Sequence, residues 1–551
     1  MKLPALALAA SLSATAFVVT APGGAATAAP AAVAAVSSVD WGRCSDPTLR
    51  GFGARCGFVK VPLDYSRPGG RQIRLAVSRI THTVRPSRYQ GALLLNPGGP
   101  GGSGLTMSVL GPIISLDFGR PDVGRAYDWI GFDPRGVGAS RPSLSCDPRY
   151  FGPDRPEYVP STPHLFHVWQ RRSRRYAADC GKAGGRLLDH MRTTDSARDM
   201  DQIRAALGVD RISYYGFSYG TYLGQVYATL FPQRVRRMVL DSNVDPRKVW
   251  YRANLEQDLA FQRNIGIFFG WVARHDATYH LGATRGAVEA RYKTVHAQLA
   301  DTPINGVVGP DEWDDVFLYA GYADFLWPRL AGVFAGWVGQ GAGDDVVAAY
   351  QDFDTPGDDN SYAVYNAVSC VDDTWKDEAF LQDQWSTYYA APFLTWGNAW
   401  FNGPCYHWPA RAHARTRVDG AALGSALLVD ETRDAATPYS GSRYLRSIAP
   451  LSRLVAVVGG TNHAVTPSGN ACTDNRIFRY LATGKLPARK AGAGPDVRCR
   501  KLPAPRPGGA EAFAGPGGSS STLSFARAAQ AGDAGAGRAL LSALLLQAAR
   551  P

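Results

Sequence analysis

The sequence predicts an α/β fold: a mostly parallel central sheet with helices on both faces, and a largely helical cap inserted before the last strands. Three observations predict it. Apolar, β-favouring runs alternate with segments of helical periodicity from Ile73 to Leu240. That rhythm lapses between about Asp245 and Arg417, a stretch rich in Trp, Tyr and Phe, and strand-like runs resume after it. Between the two halves of the pattern lies Gly216-Phe217-Ser218-Tyr219-Gly220, entered by an apolar run and left by a helix-like one. A serine at such a strand–turn–helix junction sits on a sharp turn with its hydroxyl projecting clear of the sheet.

Each element has its own signal. Ile73–Ile80 and Gly91–Asn96 read as strands, the second a continuous apolar run suited to a sheet covered on both sides. Tyr127–Phe132 is another. Thr194 or Asp195 can cap a helix running to about Leu207, with Met200, Ile203, Ala206 and Leu207 at helical spacing. The strand from Ile212 and the helix-like run Thr221–Leu230 flank the serine, and Val235–Leu240 follows as the next strand. Ala253–Ala273 is a long helix within the aromatic region, and Ala426–Val429 and Leu454–Val458 are the later strands. The expected organisation is a core over 40–244, a helical cap over 245–417, the rest of the core over 418–502, and a low-complexity tail over 503–551. A cap inserted there lies over the carboxyl ends of the strands, where such sheets keep their ligands. The tail is rich in Gly, Ala, Pro and Ser, a composition that favours disorder. Its end, Arg538–Ala549, has the pattern of a short amphipathic helix lying on a surface.

Composition narrows the class further. Lys2, the apolar stretch Leu3–Val19 and the small residues Ala26-Thr27-Ala28 have the order of a secretory signal peptide over residues 1–28, with a possible propeptide over 29–39. No other segment offers the roughly 18 consecutive apolar residues of a spanning helix, so no integral membrane segment is expected. An exported protein with eight cysteines is expected to hold disulfides. The cysteines fall into sequence-local couples, Cys44 with Cys56, Cys146 with Cys180, Cys370 with Cys405, and Cys472 with Cys499. No Cys-x-x-Cys occurs and nothing sets Cys beside His at zinc spacing, so neither metal nor cofactor is expected. The net charge of +12 comes largely from Arg scattered without a dense run, which argues against nucleic acid as a partner. A secreted monomer is the expectation.

In a chain with 60 Gly the bare Gly-x-Ser-x-Gly pattern can arise by chance, so its context decides. Serine attack needs a base, and the base needs an acid that orients it. Where a nucleophile sits on such a turn, the chain order is Ser, then Asp or Glu, then His. Of ten histidines only His463 lies beyond His413, in a Gly-rich loop after the strand Leu454–Val458. Asp434, a few residues past a strand and followed by Thr437-Pro438, is the favoured acid, with Asp430 next and Asp241 behind it. Glu431 and Asp245 are conceivable as well. A tetrahedral intermediate also needs two backbone N–H donors aimed at its oxyanion. Tyr219, the residue after the serine, supplies one, and Gly99 in Asn96-Pro97-Gly98-Gly99-Pro100-Gly101-Gly102-Ser103-Gly104 the other. Gly99–Gly104 also matches the dinucleotide fingerprint Gly-x-Gly-x-x-Gly, but Pro100 suits a rigid turn and an exported protein rarely meets NAD.

With that glycine-rich loop, Phe132-Asp133-Pro134-Arg135-Gly136-Val137-Gly138-Ala139-Ser140, Gly216-Phe217-Ser218-Tyr219-Gly220-Thr221-Tyr222-Leu223-Gly224 and Asp434-x-x-Thr437-Pro438 in order, the chain resembles the proline iminopeptidase family. It is most similar to that family's exported tripeptidyl aminopeptidase branch, over about residues 40–500. The resemblance implies the α/β-hydrolase fold, a triad of Ser218, Asp434 and His463, oxyanion donors at Gly99 and Tyr219, a structural turn at Asp133 and Arg135, and the four cysteine pairs named above. It departs at the histidine, where Asn462 and Ala464 replace the family's usual small-residue setting. Its members remove residues from free peptide N-termini, so the implied substrates are such peptides. They require an acidic group under the cap to pair with the substrate ammonium. Asp372 and Glu256 are the leading candidates, with Asp258 and Asp373 beside them, and Asp372 follows Cys370 closely enough for a disulfide to hold it. The runner-up function is a carboxylesterase or lipase-like hydrolase with the same triad.

Overall fold

The computed structural model describes residues 38–153, 155–354, 357–375, 378–508, 527–528 and 536–549. The expected signal peptide and all but the last two residues of the possible propeptide stretch lie outside them. Among the described residues one sheet is built from β1 (Gly42–Arg43), β2 (Arg55–Pro62), β3 (Gln72–Ile80), β4 (Ala92–Asn96), β5 (Asp128–Phe132), β6 (Ile212–Phe217), β7 (Val235–Asp241), β8 (Leu427–Glu431), β9 (Arg453–Val458) and β10 (Val497–Arg500). Their order is β1-β2-β3-β5-β4-β6-β7-β8-β9-β10. The first three strands and the β3–β5 junction are antiparallel. From β5 onward every pairing is parallel. This is the α/β-hydrolase arrangement that the sequence predicts.

Burial on both faces explains the central strands. All of β4 and all of β6 are buried, as uninterrupted apolar runs require of a sheet covered on two sides. Alternate residues then feed two separate cores. Leu94, Tyr214, Leu240 and Leu428 pack with the helices Thr193–Ala206 and Tyr219–Leu230. Leu93, Leu95, Tyr215, Val239 and Val429 pack with Leu110–Leu116 and Ala471–Thr483 on the other face. Two features depart from the sequence expectation. The antiparallel β2 edge carries Arg55, Cys56 and Gly57 and shows an exposed Phe58, so no apolar run marks it. A further parallel strand, β10, follows β9, with Cys499 buried between exposed Arg498 and Arg500.

Between β7 and β8 the chain forms helices from Tyr251–Arg274 to Thr395–Phe401. They enclose an aromatic core of their own, including Phe268, Trp271, Trp313, Phe317, Trp327 and Phe334. The four cysteine pairs are bonded as the sequence suggests, closing loops of 12, 34, 35 and 27 residues. Cys370–Cys405 lies within the helical insertion, and Cys472–Cys499 ties the helix Ala471–Thr483 to β10. In the chain-entropy picture, closing loops of this size stabilises a protein by about 3 kcal/mol each. No described helix is long and apolar enough to cross a membrane. Within the stretch expected to be a low-complexity tail, Ala536–Ala549 is a helix whose Leu540, Leu541, Leu544 and Leu545 are buried against the body.

Candidate active site

The carboxyl ends of β4, β6 and β7 meet at Ser218. The serine itself adopts φ 53°, ψ −126°, a left-handed backbone that side chains rarely take. Its carbonyl is held from below by Thr221 N (2.8 Å) and Thr221 Oγ1 (2.6 Å), and its N–H donates to Asp241 O at 3.0 Å. Gly220 is required by packing, since a Cβ there would stand 2.5 Å from Asn96 O. That same closeness brings the loop after β4 against the serine. Gly98, at φ 110°, leaves no room for a side chain: its Cβ would lie 2.7 Å from Phe217 O and 2.8 Å from Ser218 Cβ. Gly99 therefore lines the same cavity as Ser218, while Tyr219 N opens the helix that follows the serine.

His463 comes from the loop after β9. Its Nδ1 stands 2.9 Å from Asp434 Oδ2 and 3.0 Å from Oδ1, and both side chains are fully buried. Asp434 also accepts from Thr437 N at 2.9 Å and Thr437 Oγ1 at 3.1 Å, so its carboxylate is fixed by its own loop. A carboxylate held this way puts the ring proton on Nδ1 and leaves Nε2 as an acceptor. Nε2 is buried and has no hydrogen-bond partner, and none joins it to the Ser218 hydroxyl. Such bonds often tighten only once substrate is seated.

The other carboxylates near the His463–Asp434 pair do structural work. Asp430 accepts from Ser442 Oγ, and burial pushes its carboxyl well above the usual range. Asp241 accepts from Thr466 N (2.9 Å) and Thr466 Oγ1 (2.6 Å), and burial raises it to about 6. Neither touches the imidazole. Asp133 is buried beneath the β4 loop, accepting from Ser103 Oγ at 2.6 Å and Ala139 N at 2.8 Å. Arg135 makes a bidentate pair with Asp199 at 2.6 and 2.7 Å, wholly inside the protein.

Above Ser218 is a cavity of about 520 Å³, roofed by the helical insertion. This lies within the roughly 300–1,000 Å³ of sites that bind small ligands. Its walls include Phe261, Leu318, Tyr319, Tyr322, Tyr362 and Phe401. At the insertion side it reaches Asp315 and Asp354. Both belong to a cluster around the buried Arg155, which meets Glu312 at 3.2 Å, Asp315 at 2.5 Å and Asp354 at 3.0 Å. Three carboxylates around one guanidinium leave the wall with surplus negative charge. Burial, with Asp354 and Glu312 adding repulsion, pushes the Asp315 carboxyl well above the usual range against the pull of Arg155.

Comparison with known proteins fits this geometry. A family profile described as alpha/beta hydrolase fold matches residues 91–466. Tripeptidyl aminopeptidase of Streptomyces lividans is 42% identical over 490 residues, covering 87% of this chain and 89% of that one. The chain belongs to the tripeptidyl aminopeptidase family of α/β-hydrolases. More distant relatives of this hydrolase are Serine protease Hip1 of Mycobacterium tuberculosis (33% identical, 82% of this chain and 89% of that one) and Carboxylesterase B of the same organism (34% identical, 79% and 85%).

None of the four sequence candidates for an ammonium anchor lines the hydrolase's large cavity. Asp372 is buried and its carboxylate is occupied by Thr193 N and Thr193 Oγ1, behind the Tyr219 ring. Its side chain is held by those two bonds, facing inward. Asp373 lies near Arg415 at 3.8 Å. Glu256 borders a small recess of about 50 Å³ beside Ser218 and is paired with Lys248. Asp258 sits in a tight, largely aromatic recess under Asn398, which donates to it at 2.8 Å. Sequence reasoning missed Asp315 and Asp354. A signal was available in Asp311-Glu312-Trp313-Asp314-Asp315, a density of acids unusual for an apolar helix. Their partner Arg155 lies far off in the chain, and nothing in the spacing announces it.

Asp258 yields a stability prediction. Burial raises its carboxyl from 3.8 to about 7. The neutral form is the one the fold tolerates, so stability is complete below the unfolded value near 4 and is lost as pH rises toward 7. Each pH unit in that window costs roughly 1.4 kcal/mol. Asp258→Asn keeps the shape and removes the titration. Denaturant unfolding at pH 5 and pH 8 is expected to show the variant gaining roughly 2–3 kcal/mol on the wild type between the two. An unchanged difference would mean that the carboxyl ionises freely in the fold.

Proposed function

We propose that this chain is an exported serine aminopeptidase releasing tripeptides from free peptide N-termini through an acyl-enzyme on Ser218. The reading draws the tripeptide from the relatives and the mechanism from the site. His463 Nε2 takes the serine proton as Oγ attacks the scissile carbonyl, and Asp434 stabilises the imidazolium that forms. The N–H groups of Gly99 and Tyr219 receive the oxyanion. Protonated His463 then releases the shortened peptide as an amine, and water repeats the sequence to free the acyl group. Export agrees with the leader-like N-terminal sequence and the four disulfides.

One observation carries the exopeptidase reading: the cavity that holds Ser218 also holds Asp315 and Asp354, with more negative charge than Arg155 offsets. A substrate ammonium is the cation such a wall lacks. It would favour the ionised form of the crowded Asp315 and draw the substrate N-terminus to that wall. A hydrogen bond to a charged group contributes about 1.5–3 kcal/mol, so losing it costs roughly 10- to 100-fold in KM. Steady-state kinetics on a tripeptide anilide are expected to show that loss for its N-acetylated form, and for Asp354→Asn with the free form. Equal cleavage of the free and acetylated substrates would remove the aminopeptidase reading and favour the esterase-like alternative.

A further inference from the structure

The C-terminal helix Ala536–Ala549 reaches the catalytic cavity. Leu544 lines it together with Ser218, Gly99, Gly102, Ser103 and Thr106. The helix is seated firmly. Leu540, Leu541, Leu544 and Leu545 recur at helical spacing, are each no more than 5% exposed, and pack with Met107, Leu110, Ile113 and Ile114. Its N-terminal end is fixed separately, because Arg538 N donates to Asp117 Oδ2 at 3.0 Å. A carboxylate at that end meets both an unpaired helical N–H and the positive end of the helix dipole. The segment it packs against, Met107 to Ile114, directly follows the β4 loop that carries Gly99.

We propose that this helix is a wall of the substrate cavity and that Leu544 is a specificity-determining residue, limiting the length of peptide accommodated beyond the β4 loop. The inference rests on the aminopeptidase reading for the identity of the substrate, not for the existence of the wall. An aliphatic side chain at that position offers no hydrogen bond or charge, so it acts by shape alone. Removing its branches lengthens the space beside Ser218, and a larger ring there shortens it.

The test compares Leu544→Ala, Leu544→Trp and a chain ending at Gly508 with the full wild-type chain. Each is incubated with an unblocked peptide library, released products are sized by mass spectrometry, and Ser218 is labelled with a fluorophosphonate to verify a folded site. Leu544→Ala and the truncated chain are expected to raise the ratio of longer to three-residue products at least fivefold. Leu544→Trp is expected to lower kcat/KM for a tripeptide anilide at least tenfold while fluorophosphonate labelling persists. Wild-type product ratios in both Leu544→Ala and Leu544→Trp would overturn the proposal. Should the truncated chain fail to label, the two point variants decide. Failure of the aminopeptidase reading is visible separately, as wild-type cleavage of acetylated peptides. In that event the same variants are compared on acyl esters of graded length, where an unchanged length profile again overturns the role of Leu544.

Discussion

Ser218→Ala is expected to abolish turnover, with kcat falling by about 10⁶-fold and with all covalent labelling by a fluorophosphonate lost. The size of the effect follows from the site's construction. The hydroxyl is presented on a backbone of positive φ at the end of β6, clear of the sheet, a posture that the other hydroxyl residues of the cavity, Ser103, Thr106 and Ser361, do not share. The N–H groups proposed to receive the oxyanion survive the substitution with the cavity, so substrate is expected to be held still and a residual rate above water to remain. KM for a tripeptide anilide should therefore change little, whereas kcat collapses. A variant that retained labelling would move the nucleophile to another residue and remove the basis of the proposed mechanism.

Asp434→Asn is expected to lower kcat by about 10⁴-fold, nearly as severe for a change of one atom type. The carboxylate accepts from three donors at once, Thr437 N, Thr437 Oγ1 and His463 Nδ1. An amide in its place turns one acceptor into a donor that faces Nδ1. The ring is then driven to the opposite tautomer, with its proton on Nε2, and can no longer accept from Ser218. Stability should suffer less than activity, because the amide can still accept from Thr437. Activity within tenfold of wild type would mean that another acid orients His463. Asp430 and Asp241, the alternatives raised by chain order, would then be tested, although their carboxylates are bonded to Ser442 and Thr466.

What the sequence discloses and what it withholds divide along a physical line. The turn around Ser218 is local: strand, glycines, serine and helix are consecutive, so the backbone that presents the hydroxyl is written in one short stretch. His463 and Asp434 are remote from it, but each follows an apolar strand, and strand ends are where the fold collects side chains. The cysteine pairs were legible for a similar reason, being near neighbours along the chain. The direction a side chain faces is another matter. Asp372 stands beside a disulfide as expected, yet its carboxylate turns toward Thr193, and no periodicity distinguishes that from facing the cavity. The Arg155 cluster is assembled from three separate segments, so its surplus charge exists only after folding. The tail shows the same limit, since its leucines announce an apolar face but not what that face covers.

The loop that carries His463 is not supported by the sheet alone. His463 N donates to Tyr322 O at 2.8 Å, Asp324 N donates to Asn462 Oδ1 at 2.8 Å, and the Tyr322 ring meets the imidazole edge-on at 5.7 Å. Tyr322 and Asp324 belong to the helical insertion, so its posture and the aim of the proton acceptor are one mechanical variable. The insertion that roofs the cavity therefore also braces the loop bearing the proposed base, and any change in its posture would reach the imidazole directly.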